Sequence, residues 1–206
     1  MATPIDSKNF DTKIKEITNN IIPICDNIYF NVAYFYFSGF KLIARSIENK
    51  NIKILIGLEA DQIIQNLSKK EKAFNYLKTL STKIDKDEIL DKPEERDAYF
   101  IFKKKLQNGS LEIRQTKEPS HSKEYLFEFR KDIAKGTVSP GKTVSGSHNF
   151  SESGFITRRE LAYLHHEPEN FESRKLSFDE SWEDSTTLLN KENFKEFEKF
   201  ASRFPF

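Results

Sequence analysis

Residues 27–58 read NIYFNVAYFYFSGFKLIARSIENKNIKILIGL. Two apolar runs, 27–37 and 51–58, bracket a segment in which Leu42, Ile43 and Ile47 recur at helical spacing. The first run is almost wholly β-branched or aromatic, which predicts a buried strand. Ser38-Gly39 predicts a break after it, followed by a helix over 40–48 and a second buried strand over 51–58. Parallel neighbours need a crossover of about a dozen residues or more, and this spacing supplies one. The stretch therefore reads as a βαβ unit, and the expected class is α/β. Glu59 and Asp61 follow the second strand directly; Asp61 reads first as the cap of a further helix.

The flanks extend this pattern. Ile14, Ile17, Ile21 and Ile22 predict a helix over 9–21. Residues 61–106 are charged and helical in period, and Asn108-Gly109 ends them. Leu111–Arg114 is a short strand. Strands are expected over 123–130, 143–145 and 160–165, with Gly136, Pro140 and Gly141 breaking the loop over 133–142. The tail predicts two helices, one marked by Phe178, Trp182 and Leu189, the other by Phe194, Phe197, Phe200 and Phe204. Alternation early and clustered strands later predict a mixed β-sheet flanked by helices on both faces.

The totals set bounds. A chain of 206 residues is one domain, residues 1–206, and could be the first part of a longer protein. Only 37% of residues are hydrophobic, but 19 Phe and 7 Tyr bury large areas each. The net charge of +1 excludes a uniformly basic polyanion binder. The balance is local: 12 Lys/Arg stand against 7 Asp/Glu over 101–165, and 6 against 10 over 166–206. A phosphate-bearing partner would meet the first of these regions. Lys103-Lys104-Lys105 reads as a solvated helix face. Cys25 is alone, which rules out an intrachain disulfide framework. A cytoplasmic location is expected. No apolar run approaches the ~18–20 residues of a membrane span, so no membrane partner is expected.

The chemistry gathers in residues 119–155, PSHSKEYLFEFRKDIAKGTVSPGKTVSGSHNFSESGF. Side chains alternate along a strand, so His121, Lys123, Tyr125, Phe127 and Phe129 share one face. Ser122, Glu124, Leu126 and Glu128 share the other. A neutral imidazole can attack phosphorus, and a neighbouring ammonium stabilises the oxygens that gain charge. Ser147 and Asn149 share a face by the same rule, and both can donate to phosphate oxygens. Gly146 would admit close backbone approach. His148 turns away from that pair. His165-His166 has no companion ligands at metal-site spacing and reads as a strand end.

This stretch resembles the phospholipase D superfamily signature, in which His-x-Lys-x4-Asp is followed by Gly-Ser-x-Asn. The layout also resembles the nuclease modules of restriction endonucleases and helicase-linked defence proteins. The resemblance implies the phospholipase D-like fold with a single signature motif. His121 would be the nucleophile, Lys123 a phosphate ligand, Ser147 and Asn149 the polar pair, and Glu160 the glutamate that orients a histidine. Glu128 stands where the family has aspartate, and Glu124 stands where small or apolar residues are usual.

The family uses two histidines and this chain carries one motif. The resemblance therefore implies a homodimer with two copies of His121 in one site, without a metal or cofactor. The expected function is a metal-independent phosphodiesterase, a DNA endonuclease module working through a phosphohistidine. DNA is preferred to RNA as partner, with a helicase/ATPase or specificity domain in the same system. The alternatives are a DNA-binding and dimerising module of weak activity, motivated by Glu124 and Glu128, and a phospholipase or phosphatidyl transferase.

Overall fold

The computed structural model describes residues 3–5, 17–57, 93–147 and 162–194. Among the described residues, eight strands form one sheet: β1 (Thr3–Ile5), β2 (Cys25–Val32), β3 (Asn51–Ile56), β4 (Leu111–Gln115), β5 (Lys123–Phe129), β6 (Gly141–Gly146), β7 (Ala162–His165) and β8 (Thr186–Leu189). Their order is β1-β7-β6-β5-β2-β3-β4-β8. β2, β3 and β4 run parallel, and every other pairing is antiparallel. The mixed α/β sheet expected from the sequence is therefore present. Its parallel centre is the pair predicted from residues 27–58.

Helices cover both faces. α1 (Phe37–Ile43) and α2 (Pro93–Asn108) pack on one face, and α3 (Pro168–Glu183) packs on the other. The α1/α2 side holds the larger core. Phe102 is fully buried at its centre, with Phe40 at 5.2 Å, Phe37 at 5.8 Å and Phe35 at 6.4 Å between ring centroids. Burying each such ring is worth about 1.5–3 kcal/mol. The smaller core joins Tyr29, Leu55 and Leu126 of the sheet to Phe171, Phe178 and Trp182 of α3.

Four local expectations are corrected. β2 ends at Val32 rather than at residue 37, and α1 starts at Phe37. Ser38-Gly39 is thus the first turn of the helix, not a break before it. A helix's first amides have no partner within the helix, so a small residue costs least there. Gly39 N instead donates to Tyr36 O at 3.0 Å. Leu189 belongs to an edge strand, β8, rather than to the preceding helix. The described end of the predicted 9–21 helix is a π-turn, Ile17–Ile21, followed by a 3-10 turn, Ile22–Ile24. The helices expected over 61–92 and 195–206 lie outside the described residues.

The fourth correction is Lys105. It is fully buried rather than solvated. Its ammonium donates to the carbonyls of Lys50 (2.5 Å) and Glu48 (3.2 Å) and to Ser110 Oγ (3.2 Å). It thereby ties the end of α2 to the start of β3. Burial lowers its pKa from 10.5 to about 8. Between pH 8 and 9 the unfolded chain holds a proton on this lysine that the folded chain releases. Stability should therefore rise by about 1 kcal/mol across that interval, and the cost of burying the charge is fully present below it. Above pH 9 Cys25 opposes this, because burial pushes its thiol up to about 12 and only the unfolded chain ionises there. Urea midpoints measured at pH 7.5, 8 and 9 should rise in the wild type relative to Lys105→Met. Parallel pH profiles for the two proteins would refute the assignment.

Candidate active site

The site lies where the parallel strands end. β2, β3 and β4 all finish at one edge of the sheet, and β5, antiparallel to β2, begins there. The connection from β4 to β5, residues 116–122, must therefore cross the ends of β3 and β2. Crevices at the carboxyl ends of parallel strands are the usual place for ligands in such sheets. Thr116 starts the crossing: its N–H donates to Ile56 O (3.0 Å) and its hydroxyl to Glu118 O (2.6 Å).

Gly57 sets the height of the crossing. A Cβ built on Gly57 would lie 2.2 Å from Ser120 O and 2.7 Å from Ser120 Cβ. Only a residue without a Cβ lets the 116–122 segment pass this low over β3. Gly57 N donates to Val32 O at 3.0 Å, which fixes it to the end of β2 as well. Ser122 N donates to Ser120 Oγ at 3.3 Å and shapes the last turn before β5. Gly57 escaped the sequence reading, although a glycine closing an apolar strand run was a usable signal.

His121 and Lys123 emerge from this crossing. Lys123 pairs with Val32 in the register of β5 against β2. Tyr125, Phe127 and Phe129 all enter the larger core, so the predicted face alternation of β5 holds. His121 is exposed two residues ahead of the strand's entry, and Lys123 is half-buried. Lys123 Nζ donates to His121 O at 2.8 Å, which holds the ammonium beside the histidine. β6 ends at the same edge: Glu124 pairs with Ser145, which brings Gly146 and Ser147, both exposed, alongside the start of β5. His121, Lys123, Gly146 and Ser147 are thus gathered at one edge. Asn149, Glu160 and His148 lie outside the described residues.

The two glutamates that depart from the family motif are not at this edge's reacting face. Glu124 points to the α3 side of the sheet, where it is paired with Arg174. Arg174 Nε also donates to Asn170 Oδ1 at 3.1 Å, so α3 holds the guanidinium against the sheet. The Glu124 charge is neutralised on the face opposite Lys123. Glu128 lies seven residues past His121 on a strand rising about 3.3 Å per residue, which puts it roughly 20 Å away. There it accepts from Tyr29 OH (2.5 Å) and Asn27 Nδ2 (2.8 Å), and Asn27 in turn accepts from Asn51 (3.1 Å). Burial, with the Glu128 contact second, raises the Tyr29 phenol well above its ordinary range and keeps it a donor. Glu128 ties β5 to β2 rather than supporting the histidine directly.

His165 has a partner of its own. Its Nε2 lies 2.8 Å from Ser145 Oγ, joining β7 to β6 on the α3 side. Partial burial holds its pKa below the ordinary value, so at neutral pH it is the uncharged imidazole.

No protein-family model matches the chain, and no curated protein matches it in sequence. Its architecture is nevertheless shared. The chain has the phospholipase D-like fold. Nuc from Salmonella typhimurium, a phospholipase D family member, superposes with a TM-score of 0.51 at 12% identity, over 91% of this chain and 97% of Nuc. NucT from Helicobacter pylori superposes with a TM-score of 0.52 at 11% identity, over 91% of this chain and 98% of NucT. The phosphatidylserine synthase of Haemophilus influenzae gives 0.54 at 13% identity, over 98% of this chain but only 45% of the synthase.

Proposed function

We propose that this chain is a phosphodiesterase, and specifically a DNA endonuclease module whose active site forms between two copies. The observation that carries the reading is that the backbone at His121, Lys123, Gly146 and Ser147 converges on the end of the sheet where β2 and β3 finish. The phospholipase D-like fold supports it. So does the excess of Lys/Arg over residues 101–165, the region that contains this edge.

The chemistry proceeds in two steps. A neutral His121 attacks phosphorus with its ring lone pair, and the bond from phosphorus to the leaving oxygen breaks. The partner's His121, as imidazolium, gives that oxygen its proton. Water then attacks the phosphohistidine, the partner's His121 takes the water's proton, and the phosphorus–nitrogen bond breaks. Lys123 stabilises the charge that builds on the non-bridging oxygens, with Ser147 and Asn149 as further donors and Glu160 orienting a histidine. Both proton transfers and the nucleophile are supplied by imidazole, so the sequence needs no metal.

Incubation of the purified protein with DNA in excess EDTA tests this. Cleavage at an undiminished rate is expected, together with a dimeric mass in solution. Activity that appears only on adding Mg²⁺ refutes the mechanism. No cleavage with salt-sensitive DNA binding would mark a binding module, and phosphodiester hydrolysis confined to phospholipid vesicles would mark a phospholipase.

A further inference from the structure

Beyond Val32 the chain reads Ala33-Tyr34-Phe35-Tyr36 before α1 begins at Phe37. The segment alternates. Phe35 and Phe37 are each only 6% exposed and pack on Phe102. Tyr34 and Tyr36 are both half-buried and stack on each other, ring centroids 6.2 Å apart and planes inclined by 29°. The phenylalanines anchor the segment in the core, and the start of α1 holds it from the other side, with Gly39 N and Phe40 N both donating to Tyr36 O. Two near-parallel aromatic rings are therefore held in a fixed place.

The segment leaves the sheet at the strand end where Lys123 enters it. Val32, which pairs with Lys123, is two residues from Tyr34, a reach of at most about 7 Å. We propose that Tyr34 and Tyr36 form a stacking platform for an unpaired nucleobase next to the scissile phosphate, and that the substrate is a single-stranded polynucleotide. The proposal rests on the phosphodiesterase reading of the same edge and deepens it. Every nucleobase has a π-face, so such a platform takes any sequence. In a duplex those faces are covered by neighbouring bases. A lipid headgroup has no such face. The pair therefore favours nucleic acid over lipid and single strands over duplex.

Binding by the 206-residue chain, read by fluorescence anisotropy, is the test. The probes are a DNA oligothymidylate, an RNA oligouridylate, an abasic phosphodiester strand of equal length, and a duplex. Base-bearing single strands are expected to bind about tenfold more tightly than the abasic strand. Tyr34→Leu/Tyr36→Leu should bring that ratio close to one, and Tyr34→Phe/Tyr36→Phe, which keeps both rings, should preserve it. A wild-type ratio near one, a ratio unchanged in the leucine variant, or no binding to any strand overturns the platform. Comparing the DNA and RNA arms decides which sugar is accepted. A tenfold ratio without cleavage in EDTA would sink the phosphodiesterase reading and leave the platform standing. Cleavage in EDTA with a ratio near one would do the reverse.

Discussion

His121→Ala should lower phosphodiester hydrolysis in EDTA by at least ~10³-fold, because one side chain supplies both the nucleophile and, from the other copy, the proton. The substitution removes a ring that is exposed in the described chain. It should therefore leave the thermal midpoint within a degree or two, which separates lost chemistry from lost fold. Lys123→Ala should cost about 10²–10³-fold by removing the cation facing the developing charge. A variant lacking His121 that still hydrolyses phosphodiesters at the wild-type rate would end the proposal.

The same variant tests the shared site. If each site needs His121 from both copies, equal mixing and exchange of wild type with His121→Ala leaves about one quarter of dimers competent. Activity per mole of wild type should then fall to about half its value alone. A self-sufficient monomeric site would show no such dominance, and activity per mole of wild type would be unchanged by the partner. This mixing experiment separates a two-copy mechanism from a one-copy mechanism without any structure of the complex.

How much of this was legible beforehand depended on how strongly local pattern and tertiary context agree. The β2–β3 parallel pair was readable because NIYFNV and NIKILI are buried on both faces and therefore apolar nearly throughout. The face alternation of β5 was readable because Tyr125, Phe127 and Phe129 carry it unambiguously. The roles of Glu124 and Glu128 were not. A motif position says which residue type is present, but not that Arg174 reaches Glu124 from a helix 50 residues on, or that Tyr29 donates to Glu128 across 99. Lys105 was misread because its three acceptors come from residues 48, 50 and 110, which no periodicity around position 105 reveals. β1 and β8, of three and four residues, are too short to show a period at all.

Gly57→Ala should be the most damaging change outside the reacting groups. The added methyl would overlap Ser120 O at 2.2 Å, Ser120 Cβ at 2.7 Å and Ser120 C at 2.8 Å. Two of these are backbone atoms, so no rotamer change relieves the clash. Either the end of β3 sinks or the 116–122 segment lifts. β3 is held between β2 and β4, and Ile54, Leu55 and Ile56 are fully buried, so the strand is the stiffer partner. The segment should lift, carrying His121, the next residue, away from Lys123 and from the strand edge. A displacement of about 1 Å at a reacting group can cost ~10²-fold in rate. Hydrolysis in EDTA should therefore fall about 100-fold in Gly57→Ala, chiefly in kcat, while the base-to-abasic binding ratio set by Tyr34 and Tyr36 stays as in the wild type. Replacing Ser120 by glycine in the same chain removes only the Cβ contact and leaves the carbonyl overlap, so it should restore little. A Gly57→Ala protein with wild-type kcat would mean that the crossing over β3 does not position the histidine.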